Sequence, residues 1–252
     1  MFATDDTSLT PANVNIPSET FKRIGMRIWQ NECGGSVTGL TSWKTGEEFA
    51  SLGIGHFIWY PEKGKKPFLE QFPKLVKYFL DNRVDVPAWI ASAPFCPWRT
   101  REEFMQNFES RKMKELRDLL ASTVDLQTRF LVRRLQDAFP KVLDAAPKGE
   151  REKVQHNFEL LLKSPDGTFA LIDYVNFKGE GIYPKESYDG KGWGLLQVLL
   201  GMGGNVEKPI DDFIASAEFV LERRVENAPM ERQESRWLPG WKKRVQRYRE
   251  PL

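Results

Sequence analysis

The residues whose types and spacing could do chemistry lie early in the chain. They are Asn31-Glu32-Cys33-Gly34-Gly35, then Gly39-Leu40-Thr41, then Ser51-Leu52-Gly53-Ile54-Gly55-His56. Upstream, Phe21, Ile24, Ile28 and Trp29 recur at helical spacing, with Ser18 as the N-cap. Glu32 follows Phe21 by eleven residues, and a turn of about 100° per residue returns it to nearly the same direction, on the apolar face. Gly34 and Gly35 supply a left-handed stop. Glu32 is thereby expected in the last turn, where unpaired carbonyls disfavour an anion. Both effects favour the protonated carboxyl, the form that a general acid for glycosidic bond cleavage needs. A partly exposed glutamate at a helix end fits the same residues.

The elements that must position this acid follow directly. Residues 52–60 carry the β-branched and aromatic side chains of a strand, with Gly53 and Gly55 inside it. Glycines there fit a bulge, or the close approach of a backbone or a ligand. Gly46 marks a turn that pairs residues 40–43 with this strand as a hairpin. A helix ending in a glutamate beside a small glycine-rich hairpin makes a cleft.

Taken together, the glutamate, Gly39-Leu40-Thr41, and Ser51 followed by Leu52-Gly53-Ile54-Gly55-His56 resemble the active-site region of the phage-type lysozymes. That family belongs to the lysozyme-like superfamily, with goose-type lysozymes, chitosanases and lytic transglycosylases. Downstream, Ala170-Leu171-Ile172-Asp173-Tyr174-Val175, closing on Gly179-Glu180-Gly181, resembles the family's buried central helix and the turn after it. Ser235-Arg236-Trp237 with Lys243-Arg244-Val245 resembles its C-terminal helical segment. The matches cover about half of the chain, and residues 62–163 are loosely matched.

The resemblance implies that Glu32 protonates the leaving glycosidic oxygen. Ser51 falls where the family has a threonine that positions a water or contacts the sugar, and keeps its hydroxyl. His56 matches a structural histidine and is given no chemistry. Asn176, after the central helix, is a cleft-lining amide. One departure stands out: Thr45 occupies the position of the family's aspartate. Glu47 and Glu48 are the nearest carboxylates, and alternation groups Glu47 with Phe49 and Ser51, so Glu47 is preferred as the second carboxylate. Two solvated turn glutamates fit equally, in which case Glu32 works alone, as in transglycosylases.

Across the whole chain, 252 residues can bury a sizeable core, as one large domain or as two lobes sharing a long helix. A net charge of +2 from 37 basic and 35 acidic side chains gives no global field to recruit nucleic acid. Eight tryptophans and 17 phenylalanines serve mainly as core, with some free to line a carbohydrate groove. No apolar run has the length of a membrane span. Residues 1–16 are polar and lack the apolar core of a signal peptide, so they are expected to form a flexible lead. Cys33 and Cys96 could pair, and free thiols are the favoured expectation. With no histidine evident as its base, Cys33 is a poor nucleophile.

Further along, helices are expected over 68–80, 100–121, 125–139, 150–162, 168–177, 194–202 and 209–226, with a last one after Pro239. Pro140 and the Pro165-Asp166-Gly167 run are read as stops. The Pro-aromatic stretch 87–98 packs on the body or forms a lid. The loop 178–192 is long enough to be functional. Arg223, Arg224, Arg232, Arg236, Lys242, Lys243, Arg244, Arg247 and Arg249 form a solvated basic face, or attract an anionic wall polymer. His156 has no metal-ligand companion, and no nucleotide, zinc or cofactor motif occurs.

The expected fold is mainly α (α+β), two-lobed and lysozyme-like, with a small β-hairpin beside the active-site helix. Residues 17–65 would make the helix-plus-hairpin lobe and 66–252 the helical lobe of one catalytic domain. The expected function is that of a peptidoglycan muramidase, acting as a monomer without a cofactor in the periplasm or outside the cell. A lytic transglycosylase or chitosanase-like glycosidase is the alternative within the class. A non-catalytic glycan-binding module of the same fold is the alternative outside it.

Overall fold

The computed structural model describes residues 16–252, so the expected N-terminal lead lies, but for its last residue, outside the described residues. The chain is mainly helical, with small antiparallel sheets. Its contacts divide it at Leu131/Val132, inside one long helix, into a compact unit of Phe21–Leu131 and a second built chiefly of Val132–Leu252. The lobe boundary expected near residue 65 falls inside the first of these units.

In the first unit, helix α1 (Ser18–Cys33) buries Phe21, Ile24 and Ile28 on one face, and the Arg129 guanidinium covers the Phe21 ring at 4.8 Å. Gly34 and Gly35 take φ of +63° and +68°. Their amides return to Gln30 O at 3.1 Å and Trp29 O at 3.3 Å, closing the helix as the paired glycines predict. Three short strands follow, β1 (Thr41–Ser42), β2 (Ala50–Leu52) and β3 (Phe57–Trp59), in the order β1-β2-β3. Ser51 of β2 lies opposite Ser42 on one side and Ile58 on the other.

The expected single strand over 52–60 is therefore two strands joined by the turn Gly53–His56. Gly53 sits at φ +69°, a left-handed conformation that breaks a strand and that glycine adopts without penalty.

Helices α2 (Phe72–Asp81), α3 (Ala88–Ala91), α4 (Arg101–Gln106), α5 (Arg111–Ser122) and the first part of α6 (Val124–Asp144) complete this unit. Thr100 caps α4 through Glu103 N, but the long helix expected from there breaks after Gln106, and Ser110 caps a new one through Met113 N. The aromatic surplus is largely core: Trp59 packs on Phe72 at 4.7 Å, and Phe104 meets Trp98 at 5.2 Å and Trp43 at 5.8 Å. The stretch 87–98 packs inward, with Cys96 and Trp98 buried and Cys96 N bonded to Tyr60 O at 2.8 Å. Cys33 and Cys96 are separate buried thiols.

In the second unit, α6 runs on through Pro140 rather than stopping there. A proline inside a helix forfeits a hydrogen bond. Here Phe139 is buried and stacks on Phe158 of α7 (Arg151–Leu162) at 3.5 Å, and Val142 is buried too, packing that outweighs the loss. Pro165-Asp166-Gly167 opens α8 (Pro165–Lys178), with Ser164 capping Gly167 N at 3.0 Å; proline at a first helical turn costs no bond. As expected, α8 is the central helix, buried along nearly all its length.

Its one buried acid, Asp173, accepts from Arg244 Nε at 2.9 Å, Arg244 Nη2 at 2.8 Å and Tyr248 OH at 2.7 Å. The loop after α8 is ordered by Glu186, whose Oε2 accepts from the amides of Gly181 (2.7 Å), Ile182 (3.0 Å) and Tyr183 (3.3 Å). It contains the two-stranded β4 (Ser187–Tyr188) and β5 (Lys191–Gly192). Helices α9 (Leu195–Gly201), α10 (Pro209–Glu226) and α11 (Leu238–Gln246) follow.

Much of the expected basic face is neutralised by the chain itself. Arg224 and Arg232 converge on buried Glu234, Arg249 pairs with Asp211, and Lys242 pairs with Glu222. No helix among the described residues is long and apolar enough to cross a membrane.

Candidate functional site

Glu32 stands one residue before the end of α1, where its side chain is 11 % exposed and its Oε2 lies 3.1 Å from His56 Nδ1, itself 15 % exposed. Sequence reasoning placed the acid on the helix but missed this partner. His56 closes the turn between β2 and β3 with φ of +49°, a conformation that non-glycine residues seldom adopt. Its amide returns to Gly53 O at 3.2 Å.

The turn is held from α6. Gln127, fully buried, accepts from Ile54 N at 2.9 Å and donates to Leu120 O at 2.7 Å and Thr123 Oγ1 at 3.1 Å. A Cβ on Gly53 would overlap Gln127 Oε1, so the glycine is required for close approach as well as for its φ. Polar Thr123, just before α6, and Gln127 and Thr128 in its first turns were the signal that could have marked this anchor.

Glu47 and Glu48 lie in the connection between β1 and β2 rather than on a strand. Glu47 is half-buried, with Oε2 enclosed and without a hydrogen-bond partner. Burial pushes its carboxyl above the ordinary range, against the opposing pull of Lys44, of His56 and of a backbone hydrogen bond at Lys44. Glu48 is exposed, and its Oε2 accepts from Lys65 N at 2.8 Å. Ser51 is buried in β2, and its carbonyl accepts from Ser42 Oγ at 3.4 Å.

Cys33 donates to Gly53 O at 3.4 Å, and burial first, then the Glu32 charge, push its thiol up to about 12. It stays a thiol and is inert as a nucleophile. Asn31 carries side-chain nitrogen and oxygen atoms that are buried without a partner, polar capacity that a bound polar group would reward. Asn176 belongs to the second unit, where its Oδ1 accepts from Arg134 Nη1 at 3.3 Å beside the Arg134–Glu180 pair. No group of three or more His, Cys, Asp or Glu among the described residues is placed to hold a metal ion.

The first unit thus holds a carboxyl against an imidazole at the β2–β3 turn, and a second, partly buried carboxyl in the connection at the other end of β2, near enough for the His56 charge to act on it. A carboxyl held against an imidazole can donate and take back a proton. Comparisons with protein-family models, with curated proteins and with solved structures return no match for this chain.

Proposed function

We propose that the chain is a glycan-strand hydrolase of the lysozyme-like kind, cutting the β-1,4 bonds of peptidoglycan on the periplasmic or outer side of the cell. The observation that carries the reading is the enclosure of Glu32 at the end of α1 against the glycine turn that follows Ser51. In this route Glu32 protonates the leaving oxygen, the sugar passes through an oxocarbenium-like state, and water captures it as Glu47 takes the proton. The raised proton affinity of Glu47 is basicity that a water-activating carboxylate uses.

The same burial favours a second reading. Should Glu47 keep its proton at working pH, no base remains for water, and the sugar's own hydroxyl attacks, as in a lytic transglycosylase. Thr45, standing where the family's aspartate would be, points the same way.

Incubation of the full chain with purified murein, followed by mass spectrometry of the soluble fragments, separates these outcomes. Hydrolysis leaves a reducing end, and transglycosylation an anhydro end one water lighter. Glu32→Gln should fold as the parent does by circular dichroism and lose turnover by several orders of magnitude. Undiminished fragment release by the Gln variant would refute the assignment of the acid.

A further inference from the structure

We propose that His56 is the positioning residue of the acid: its Nδ1–H holds Glu32 Oε2 and stabilises the carboxylate once the transferable proton has gone. The proposal rests on the reading above that Glu32 is the acid.

Geometry carries it. The Nδ1–Oε2 separation of 3.1 Å is a hydrogen-bond distance between two side chains that are 15 % and 11 % exposed. His56 is held at φ +49°, a strained conformation for a non-glycine residue that persists only where the surroundings fix it. Those surroundings are the Gln127 bond to Ile54 N and the return of His56 N to Gly53 O. The fold therefore spends backbone strain on putting an imidazole against the end of α1.

Titratable groups coupled to the pair include Glu47, on which His56 acts, and Cys33, on which Glu32 acts, with Lys44 beside both. Glu47 and Lys44 act on the site with opposite charge, and the Cys33 thiol brings none.

In the transfer, the carboxyl O–H bond of Glu32 breaks as the glycosidic oxygen takes the proton, and the bonding pair stays on Glu32. The resulting charge spreads over both carboxylate oxygens. Nδ1–H then donates to an anion instead of a neutral acid, and such bonds are roughly twice as strong. An interaction that strengthens along the reaction accelerates it.

The test uses two variants of the full chain that both tolerate the left-handed backbone, His56→Asn and His56→Asp. Asparagine offers a side-chain N–H near the place of Nδ1, whereas aspartate offers only a like charge. On murein, Asn should keep kcat within about tenfold of the parent and Asp should lose more than about a hundredfold, with KM little changed in either, since the contact acts on the transition state. Equal losses in Asn and Asp, or losses confined to KM, would overturn the proposal.

A second measurement does not need turnover. In ¹⁵N-labelled protein the hydrogen-bonded Nδ1–H signal of His56 should persist in Glu32→Gln, which keeps an acceptor oxygen, and vanish in Glu32→Ala. A parent that releases nothing from murein would sink the functional reading. A His56 signal indifferent to Glu32→Ala would sink the positioning role whatever the activity.

Discussion

Replacing Asp173 by Asn isolates an enclosed ionic contact of the second unit. The carboxylate is fully buried at the middle of α8 and accepts three hydrogen bonds, two from the Arg244 guanidinium of α11 and one from Tyr248. Each bond to a charged group is worth about 1.5–3 kcal/mol net. Removing one partner of a buried pair costs about 3–5 kcal/mol, because the remaining charge is left without its counter-ion. The Arg244 side chain keeps 15 % exposure and recovers some hydration, so the expected loss lies at the lower end, about 3 kcal/mol. With a urea slope of about 2 kcal/mol per molar, the unfolding midpoint followed by circular dichroism should fall by about 1.5 M. The combined variant Asp173→Leu, Arg244→Met, Tyr248→Phe removes the carboxylate, the guanidinium and the phenol together and should recover most of that loss. A midpoint within about 0.3 M of the parent for Asp173→Asn, well under that slope-based expectation, would refute the reasoning. So would a combined variant as unstable as the single one, because the orphaned cation would then not be the source of the cost.

Two further outcomes follow from the first unit. Glu47→Met should stabilise the protein at neutral pH by about 1 kcal/mol, since it removes an enclosed oxygen without a partner. The folded carboxyl titrates above its ordinary range. Its favourable contribution is therefore present below that range and lost as pH rises through the raised value, so the advantage of Met should shrink on acidification in urea titrations run across that window. A gap that widens toward acid would contradict the burial argument. Gly53→Ala should cost about 2–3 kcal/mol, combining a left-handed alanine with the displaced Gln127 bond to Ile54. The same substitution should lower murein turnover more than it lowers the folded fraction, and an alanine variant as stable as the parent would show that the turn does not need its glycine.

What the sequence made legible is what local chemistry decides. The paired glycines ended α1 where they stood, Pro209 opened α10, and the apolar run after Ser164 became the buried α8. The misread elements were decided from far away. Gly53–His56 is a turn because Gln127, 73 residues beyond Ile54, bonds its backbone, and Phe57 to Trp59 taken alone read as one long strand with it. Pro140 stays helical because Phe139 stacks on a residue of the next helix. Glu32 was readable as an enclosed acid from the 3.6-residue period of α1. Its pairing with His56 depends on the register of three strands, which no spacing along the chain encodes.

Three successive amides turned toward one point, as those of residues 181, 182 and 183 are, make the kind of hollow that draws phosphate or sulfate from solution. Here the chain supplies the occupant itself, from Glu186 a few residues on. A buffer anion finds that seat taken, and the segment that follows α8 is shaped by an internal guest instead of by whatever salt surrounds it.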